Sequence, residues 1–269
     1  MTKKTVLLTR IAIALVGIPV MIGLIFLDGP YLTGFLVIVS TLALLELFKL
    51  LNNKGIPPNE TTTILAGIIL LITAGFKPAY LKYAVPLIVI ILLLTILMGD
   101  IKYSVKSLSS SIFSTVYIPL NLCFILFLRD IPRLGFELTI MAFVTVWCCD
   151  TFAYFFGSWL GRKPLAPKIS PKKSINGAIA GFTGSILTVC IFYFINFLPA
   201  NISLIAVIGF GALIGIFTQV GDLIESVIKR DMEVKDSGSI LLGHGGVLDR
   251  FDSLIIVAPV VYLYTIIIL

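Results

Sequence analysis

Between residues 222 and 252 the chain sets Asp222, Glu225, Ser226, Lys229, Arg230, Asp231, Lys235, Asp236, His244, Asp249, Arg250 and Asp252 among long apolar stretches. Asp222, Glu225, Ser226 and Lys229 stand at i, i+3, i+4 and i+7, so on a helix they form one polar stripe. Asp249 and Asp252 share a face in the same way. Carboxylates so paired suit Mg²⁺, which takes oxygen ligands and is commonly held by one or two carboxylates together with substrate phosphates. The interleaved Lys and Arg suit the phosphates themselves, Lys as a point charge and Arg as a two-pronged donor. Gly243, Gly245 and Gly246 flank His244 and allow the backbone to approach a ligand closely. A solvated charged loop would explain any one of these residues, but not acids recurring at the ends of apolar helices.

A second cluster lies upstream, where Lys168-Ile169-Ser170-Pro171-Lys172-Lys173-Ser174-Ile175-Asn176-Gly177 crowds three lysines ahead of an apolar stretch, with Pro171 fixing a turn. A basic run beside a membrane helix is by default a contact for anionic headgroups. Lysines at a helix N-terminus, with Ser170 and Ser174 as further donors, are also what holds a phosphate or triphosphate. Asp150 sits inside an apolar window, followed by Thr151, Ala153 and Tyr154; it is either a satisfied buried acid or part of a site. His244 is the single histidine, which leaves little material for a His-based metal site or a Ser-His triad. It remains a candidate proton carrier. No Gly-x-x-x-x-Gly-Lys-Ser/Thr loop is present, which argues against a P-loop nucleotide site.

The elements that must position these residues are membrane helices. Of 269 residues, 58% are hydrophobic and 13% charged, and the mean hydropathy is +1.10. A soluble domain is closer to about 45–50% apolar and about 25% charged. The sequence predicts an all-α polytopic integral membrane protein. Apolar windows near residues 6–27, 31–51, 61–76, 80–98, 108–128, 137–159, 175–198, 202–228 and 247–268 give about nine transmembrane helices. The third is barely long enough to cross and its break from the fourth, at Phe76-Lys77-Pro78-Ala79-Tyr80, is short. The first follows Lys3 and Lys4 as a signal peptide would, but it is too long and ends in Asp28-Gly29-Pro30 without a small-x-small cleavage site, so it reads as a retained anchor.

Cytoplasmic loops carry the excess of Lys and Arg. With the N-terminus cytoplasmic and the C-terminus outside, sixteen of the basic residues face inward and four, Lys77, Lys82, Arg129 and Arg133, face outward. Both basic clusters then lie on the cytoplasmic face of the cell's inner membrane. The bland spans of residues 1–135 read as a scaffold, with a dimer contact or a lipid-entry wall as further roles, and residues 136–269 as the catalytic region. Gly177/Gly181 and Gly211/Gly215 make Gly-x-x-x-Gly pairs that let helices pack closely. Cys123, Cys148, Cys149 and Cys190 lie in apolar stretches without zinc-ligand spacing and read as packing residues.

At these residues the sequence resembles the phosphatidate cytidylyltransferase (CDP-diacylglycerol synthase) family. That family's C-terminal signature runs Ser-x-hydrophobic-Lys-Arg, then Lys-Asp-x-small, then His-Gly-Gly-hydrophobic-x-Asp-Arg-hydrophobic-Asp. It stands here as Ser226, Lys229, Arg230, Lys235, Asp236, Gly238, His244, Gly245, Gly246, Asp249, Arg250 and Asp252. Asp150-Thr151-x-Ala153-Tyr154 and Ser170-Pro171-Lys172-Lys173-Ser174-x-x-Gly177 are similar to a second block of the family, so the resemblance covers the C-terminal half. It implies CTP + phosphatidic acid → CDP-diacylglycerol + pyrophosphate, a nucleotidyltransferase of phospholipid biosynthesis that requires Mg²⁺, with a second cation left open. It also implies a homodimer.

On that reading the metal falls to Asp222 and Asp249, with Asp252 and Asp150 as further candidates. The phosphates fall to Lys172, Lys173, Lys229, Arg230 and Arg250, supported by Ser170, Ser174 and Lys235. Ser226 would touch a phosphate or the metal shell, and His244 would shape its loop or donate to pyrophosphate. CTP, phosphatidic acid and the bilayer are the expected partners, with no nucleic acid among them. Rival readings are a CTP-dependent polyprenol or phytol kinase, distinguished by its products, and an ion-coupled transporter using Asp150, Asp222 and Glu225 as a relay. Transporters usually show two similar halves, whereas the polar motifs here gather at one end. A CDP-alcohol phosphotransferase would carry Asp-Gly-x-x-Ala-Arg, which is absent.

Overall fold

The computed structural model of the chain describes residues 17–98, 101, 104–238 and 245–268. Helices α1 (Gly17–Leu27), α2 (Gly29–Asn53), α3 (Glu60–Phe76), α4 (Leu81–Leu94), α5 (Ser104–Thr115) and α6 (Asn121–Arg129) are followed by α7 (Gly135–Leu160). A hairpin of β1 (Pro164–Ala166) and β2 (Ser170–Ser174) then leads into α8 (Ile175–Phe194), α9 (Leu204–Asp231) and α10 (Leu248–Ile268). The protein is helical and multi-pass. Among the described residues, seven helical segments are long and apolar enough to cross a membrane: Gly29–Asn53, Pro78–Leu97, Ser104–Arg129, Gly135–Leu160, Ile175–Phe194, Leu204–Asp231 and Leu248–Ile268. The first and third of the expected windows correspond to shorter apolar helices, Gly17–Leu27 and Glu60–Phe76, and the start of the first window lies outside the described residues.

The chain divides into two units. The first comprises Met1–Leu126 and Asp236–Arg250. In it α2 opens on Asp28-Gly29-Pro30, where a proline in the first turn costs no hydrogen bond. The helix buries Leu32, Leu36, Val39, Ala43, Leu47 and Leu50 at spacings of three and four, one apolar stripe with Glu46 buried inside it. Asn59 caps α3 by accepting from the Thr62 N–H at 3.2 Å. The chain breaks at Lys77-Pro78 as expected, with a 3₁₀ turn over Pro78–Tyr80 before α4. Between α5 and α6 lies a π-helical turn, Val116–Leu120, at Pro119, whose missing N–H interrupts the α-helical ladder.

The second unit comprises Phe127–Lys235 and Phe251–Leu269. Lipid gives apolar helices little reason to associate, so close backbone contact at small residues has to supply the packing. The glycine pairs do so: a Cβ on Gly181 would stand 3.0 Å from the Cys149 carbonyl oxygen, and one on Gly215 would stand 3.1 Å from the Phe182 Cα. Cys123 and Cys149 are buried, Cys148 and Cys190 half-buried, and all four are free thiols. The last turns of α7 present Tyr154, Phe155 and Trp159 outward, Trp159 at 78% exposure.

The basic stretch after α7, expected as a loop turning at Pro171, is instead an antiparallel hairpin. Ala166 pairs with Ser170 and Pro164 with Ser174, and the Ile169 N–H donates to the Ala166 carbonyl at 3.1 Å to close the turn. Pro171 is therefore a strand residue. Ser174 then caps α8 by accepting from the Gly177 N–H at 3.1 Å, and the Asn176 side chain donates to the Leu160 carbonyl at 2.7 Å, which fastens the hairpin to the end of α7.

Candidate active site

The polar stripe predicted on α9 forms, and α9 runs to Asp231, so Lys229 and Arg230 lie on the helix itself. Its position against α10 is set at Gly221. A Cβ there would come within 2.9 Å of both the Ser253 Cα and the Asp252 carbonyl oxygen, so only glycine allows the two backbones to meet. The Ser253 hydroxyl donates to the Thr218 carbonyl at 3.1 Å and reinforces the contact one turn away. The result is that Asp222, the residue after Gly221, stands beside Asp252. Asp222, Glu225 and Asp252 each offer a carboxylate oxygen, and these oxygens lie within 4.8 Å of one another. Asp252 and Glu225 are buried, at 7% and 1% exposure, and Asp222 is half-buried.

Like charges so close need compensation. Two lysines supply part of it. Lys229 pairs with Glu225 at 2.5 Å along α9, and Lys173 of β2 forms an ion pair with Asp222. Successive side chains of a strand point to opposite faces, so Lys173 turns toward the acids while Lys172 is exposed. Three carboxylates thus gather beside two ammonium groups. The cluster's donors are all hard oxygens, converging and partly open through Asp222, and this fits a hard divalent cation such as Mg²⁺. Among the described residues this is the group of three or more acids, cysteines or histidines with ligand spacing.

The other predicted residues are placed as follows. Arg230 donates through Nε to the Ile169 carbonyl and through Nη1 to the Val234 carbonyl, both at 3.0 Å, and so ties the hairpin turn to the end of α9. Ser226 is buried on the same stripe, and Ser170 is half-buried at the start of β2. Lys235 and Arg250 are exposed. Asp150 is exposed on α7 and stands outside the three-carboxylate group. His244 lies outside the described residues.

In the first unit, Asp249 accepts from the Gly246 N–H at 2.7 Å and from the Ser237 N–H at 3.2 Å. Its carboxylate thereby bridges the two described ends of the glycine-rich segment. Gly245 adopts φ +79°, which a side chain would disfavour. Two acids, Glu225 and Glu46, carry little sign of their place in the sequence. Glu225 belongs to the predicted stripe, where spacing alone offers it as a relay acid. Glu46 sits in the apolar first half, and its signal was the same one applied later in the chain, an acid at membrane depth.

The sequence model of the cytidylyltransferase family matches residues 8–268. A phosphatidate cytidylyltransferase of Synechocystis sp. is 32% identical over 287 residues, covering 97% of both chains. One from Staphylococcus aureus is 32% identical over 255 residues, 93% of this chain and 95% of the relative. One from Bacillus subtilis is 38% identical over 149 residues, 55% of each chain. The match reaches through the bland N-terminal spans as well as the motif-bearing half, and this chain belongs to the cytidylyltransferase family.

Proposed function

We propose that the chain is a phosphatidate cytidylyltransferase that converts CTP and phosphatidic acid to CDP-diacylglycerol and pyrophosphate. The observation that carries the reading is the convergence of Asp222, Glu225 and Asp252 with Lys173 and Lys229 beside them, in a chain whose full-length relatives bear that name. A phosphate oxygen of the lipid, already an anion, forms the new bond to the α-phosphorus of CTP, and the bond between that phosphorus and the bridging oxygen to the β-phosphate breaks. No base is needed to create the nucleophile. The barrier is bringing anions together and stabilising the charge that gathers on departing pyrophosphate.

The cluster is suited to that barrier. Asp222, Glu225 and Asp252 would hold Mg²⁺, which supplies charge neutralisation and Lewis-acid stabilisation of phosphate oxygens. Lys173 and Lys229 hold the acids before substrate arrives and are placed to shift toward triphosphate oxygens once other positive charge balances the carboxylates. Exposed Lys172 meets phosphate as a point charge. Arg230 serves the same end indirectly, by fixing the hairpin that carries both lysines. Lys235, Arg250, Ser170 and Ser226 are retained as phosphate-contact candidates from the sequence. Asp249 acts by ordering the segment before α10.

The proposal includes the inner membrane as location, a cytoplasmic opening and a homodimer. Support for the opening is the sixteen-to-four distribution of basic residues. A Lys172→Cys chain lacking its native cysteines should react with an impermeant maleimide from the cytoplasmic face, and Lys77→Cys from the other. The reverse pattern would remove the orientation. Light scattering of the detergent-solubilised protein reads the oligomer. The activity itself is tested with purified protein, phosphatidic acid, CTP and Mg²⁺, by following pyrophosphate and CDP-lipid. Pyrophosphate release that needs no phosphatidic acid, or that survives Asp222→Asn unchanged, would overturn the assignment.

A further inference from the structure

Glu46 is fully buried in the apolar face of α2, where an ionised carboxylate is costly unless its oxygens are taken up by donors. They are taken up by the signature segment almost two hundred residues away in sequence. Oε1 accepts from the Val247 N–H at 3.0 Å, and Oε2 accepts from the Leu248 N–H at 2.9 Å and from the Ser237 hydroxyl at 3.3 Å. Val247 immediately precedes α10 and Leu248 opens it, so the carboxylate takes up amides that the helix itself leaves unbonded and lies at the positive end of the helix dipole. Ser237 lies at the other described end of the segment. One carboxylate therefore holds both ends.

The glycines of the segment fit the same purpose. A Cβ on Gly238 would stand 2.5 Å from Glu46 Oε1, and one on Gly246 would overlap both Glu46 Oε2 and the Ser237 hydroxyl. Two glycines leave room for one buried acid. Asp249 grips the same two ends from within the segment, through Ser237 and Gly246. Ser237 on one side and Gly246–Leu248 on the other are thus held by two carboxylates, one local and one from α2.

We infer that Glu46 is a positioning residue, whose carboxylate sets the backbone of Ser237–Gly238 and Gly245–Leu248 and hence the start of the helix that carries Asp249 and Arg250. The role in catalysis rests on the cytidylyltransferase reading above; the role in ordering the segment does not. Amide hydrogen exchange of the intact protein in detergent separates the two. In Glu46→Ala, peptides spanning residues 245–250 should lose protection by about tenfold or more, while α8 and α9 keep theirs. kcat/KM for CTP should fall about a hundredfold, the scale of a small misplacement of reacting groups. Glu46→Gln, which keeps length and one acceptor, should recover part of both, and Ser237→Ala should show a milder form of the same exchange pattern.

Unchanged exchange at residues 245–250 in Glu46→Ala would overturn the inference. So would loss of protection spread evenly over all helices, the mark of a merely structural residue, or Glu46→Gln behaving no better than Glu46→Ala in exchange. Should wild-type protein make no CDP-lipid while the local exchange pattern appears, the functional reading fails and the positioning role stands.

Discussion

Lys173 of the hairpin is ion-paired with Asp222 of α9, although the two are separated by the whole of α8 in the chain. The pair joins the hairpin to the acidic stripe of α9, with Lys173 supplied by a strand and Asp222 by a helix. Neighbouring Lys172 is exposed and does not share this pairing. The two lysines should therefore fail differently. Lys172→Ala should raise KM for CTP by about tenfold with kcat nearly unchanged, as loss of a contact made equally in ground and transition states. Lys173→Ala should lower kcat as well. Steady-state kinetics on both variants checks the split.

Removing a carboxylate from the cluster should cost more. Asp222→Asn, Asp252→Asn and Glu225→Gln should each lower pyrophosphate release about 10²–10³-fold, the range seen when one preorganised electrostatic group is lost. Glu225→Gln is the informative member, because Glu225 could instead serve only to hold Lys229. An unchanged rate would assign it that lesser part.

The crowding of three carboxylates also makes a thermodynamic prediction. A cation that binds the folded protein and not the unfolded chain stabilises it, by about 2.7 kcal/mol at a hundred times its Kd. Mg²⁺ titrated into detergent-solubilised wild type should raise the melting temperature, and Asp252→Asn should abolish the rise. Thermal unfolding followed with and without Mg²⁺, at constant ionic strength, reads it directly.

Gly221 offers a test of the scaffold without touching an ionisable group. The added methyl of Gly221→Ala would press on the Ser253 Cα and force α9 from α10, which should cost about 1–3 kcal/mol as overpacking does. Activity should fall as Asp222 and Asp252 part. Gly209→Ala on the same helix meets the Tyr264 side chain, which can swing aside, and should be milder in the same melting and activity assays.

The sequence made the helical architecture and most of the site legible, because membrane helices announce themselves by apolar length and because buried acids are rare enough to stand out. The Asp222, Glu225, Ser226, Lys229 stripe was readable from spacing alone. What spacing could not tell was which acids converge: the sequence offers Asp222 and Asp249 for the metal with Asp252 and Asp150 as further candidates, and in the structure Asp222 and Asp252 gather with Glu225, while Asp249 accepts from amides of its own segment. That choice depends on the contact at Gly221, a tertiary fact. The hairpin was hidden because a short lysine-rich strand that itself contains a proline has no apolar alternation to betray it. Glu46 shows in the sequence only as an acid at membrane depth, since two of its three donors are backbone amides, which carry no side-chain signature.

The outward aromatic group at the end of α7, Tyr154, Phe155 and Trp159, works as a depth gauge. Such rings settle at the headgroup level of a bilayer, and the hairpin begins only a few residues further on. In a bilayer, rings settled at that level would keep the strand that carries Lys173 close to the water boundary. A two-chain substrate could present its phosphate there without lifting its tails out of the hydrocarbon.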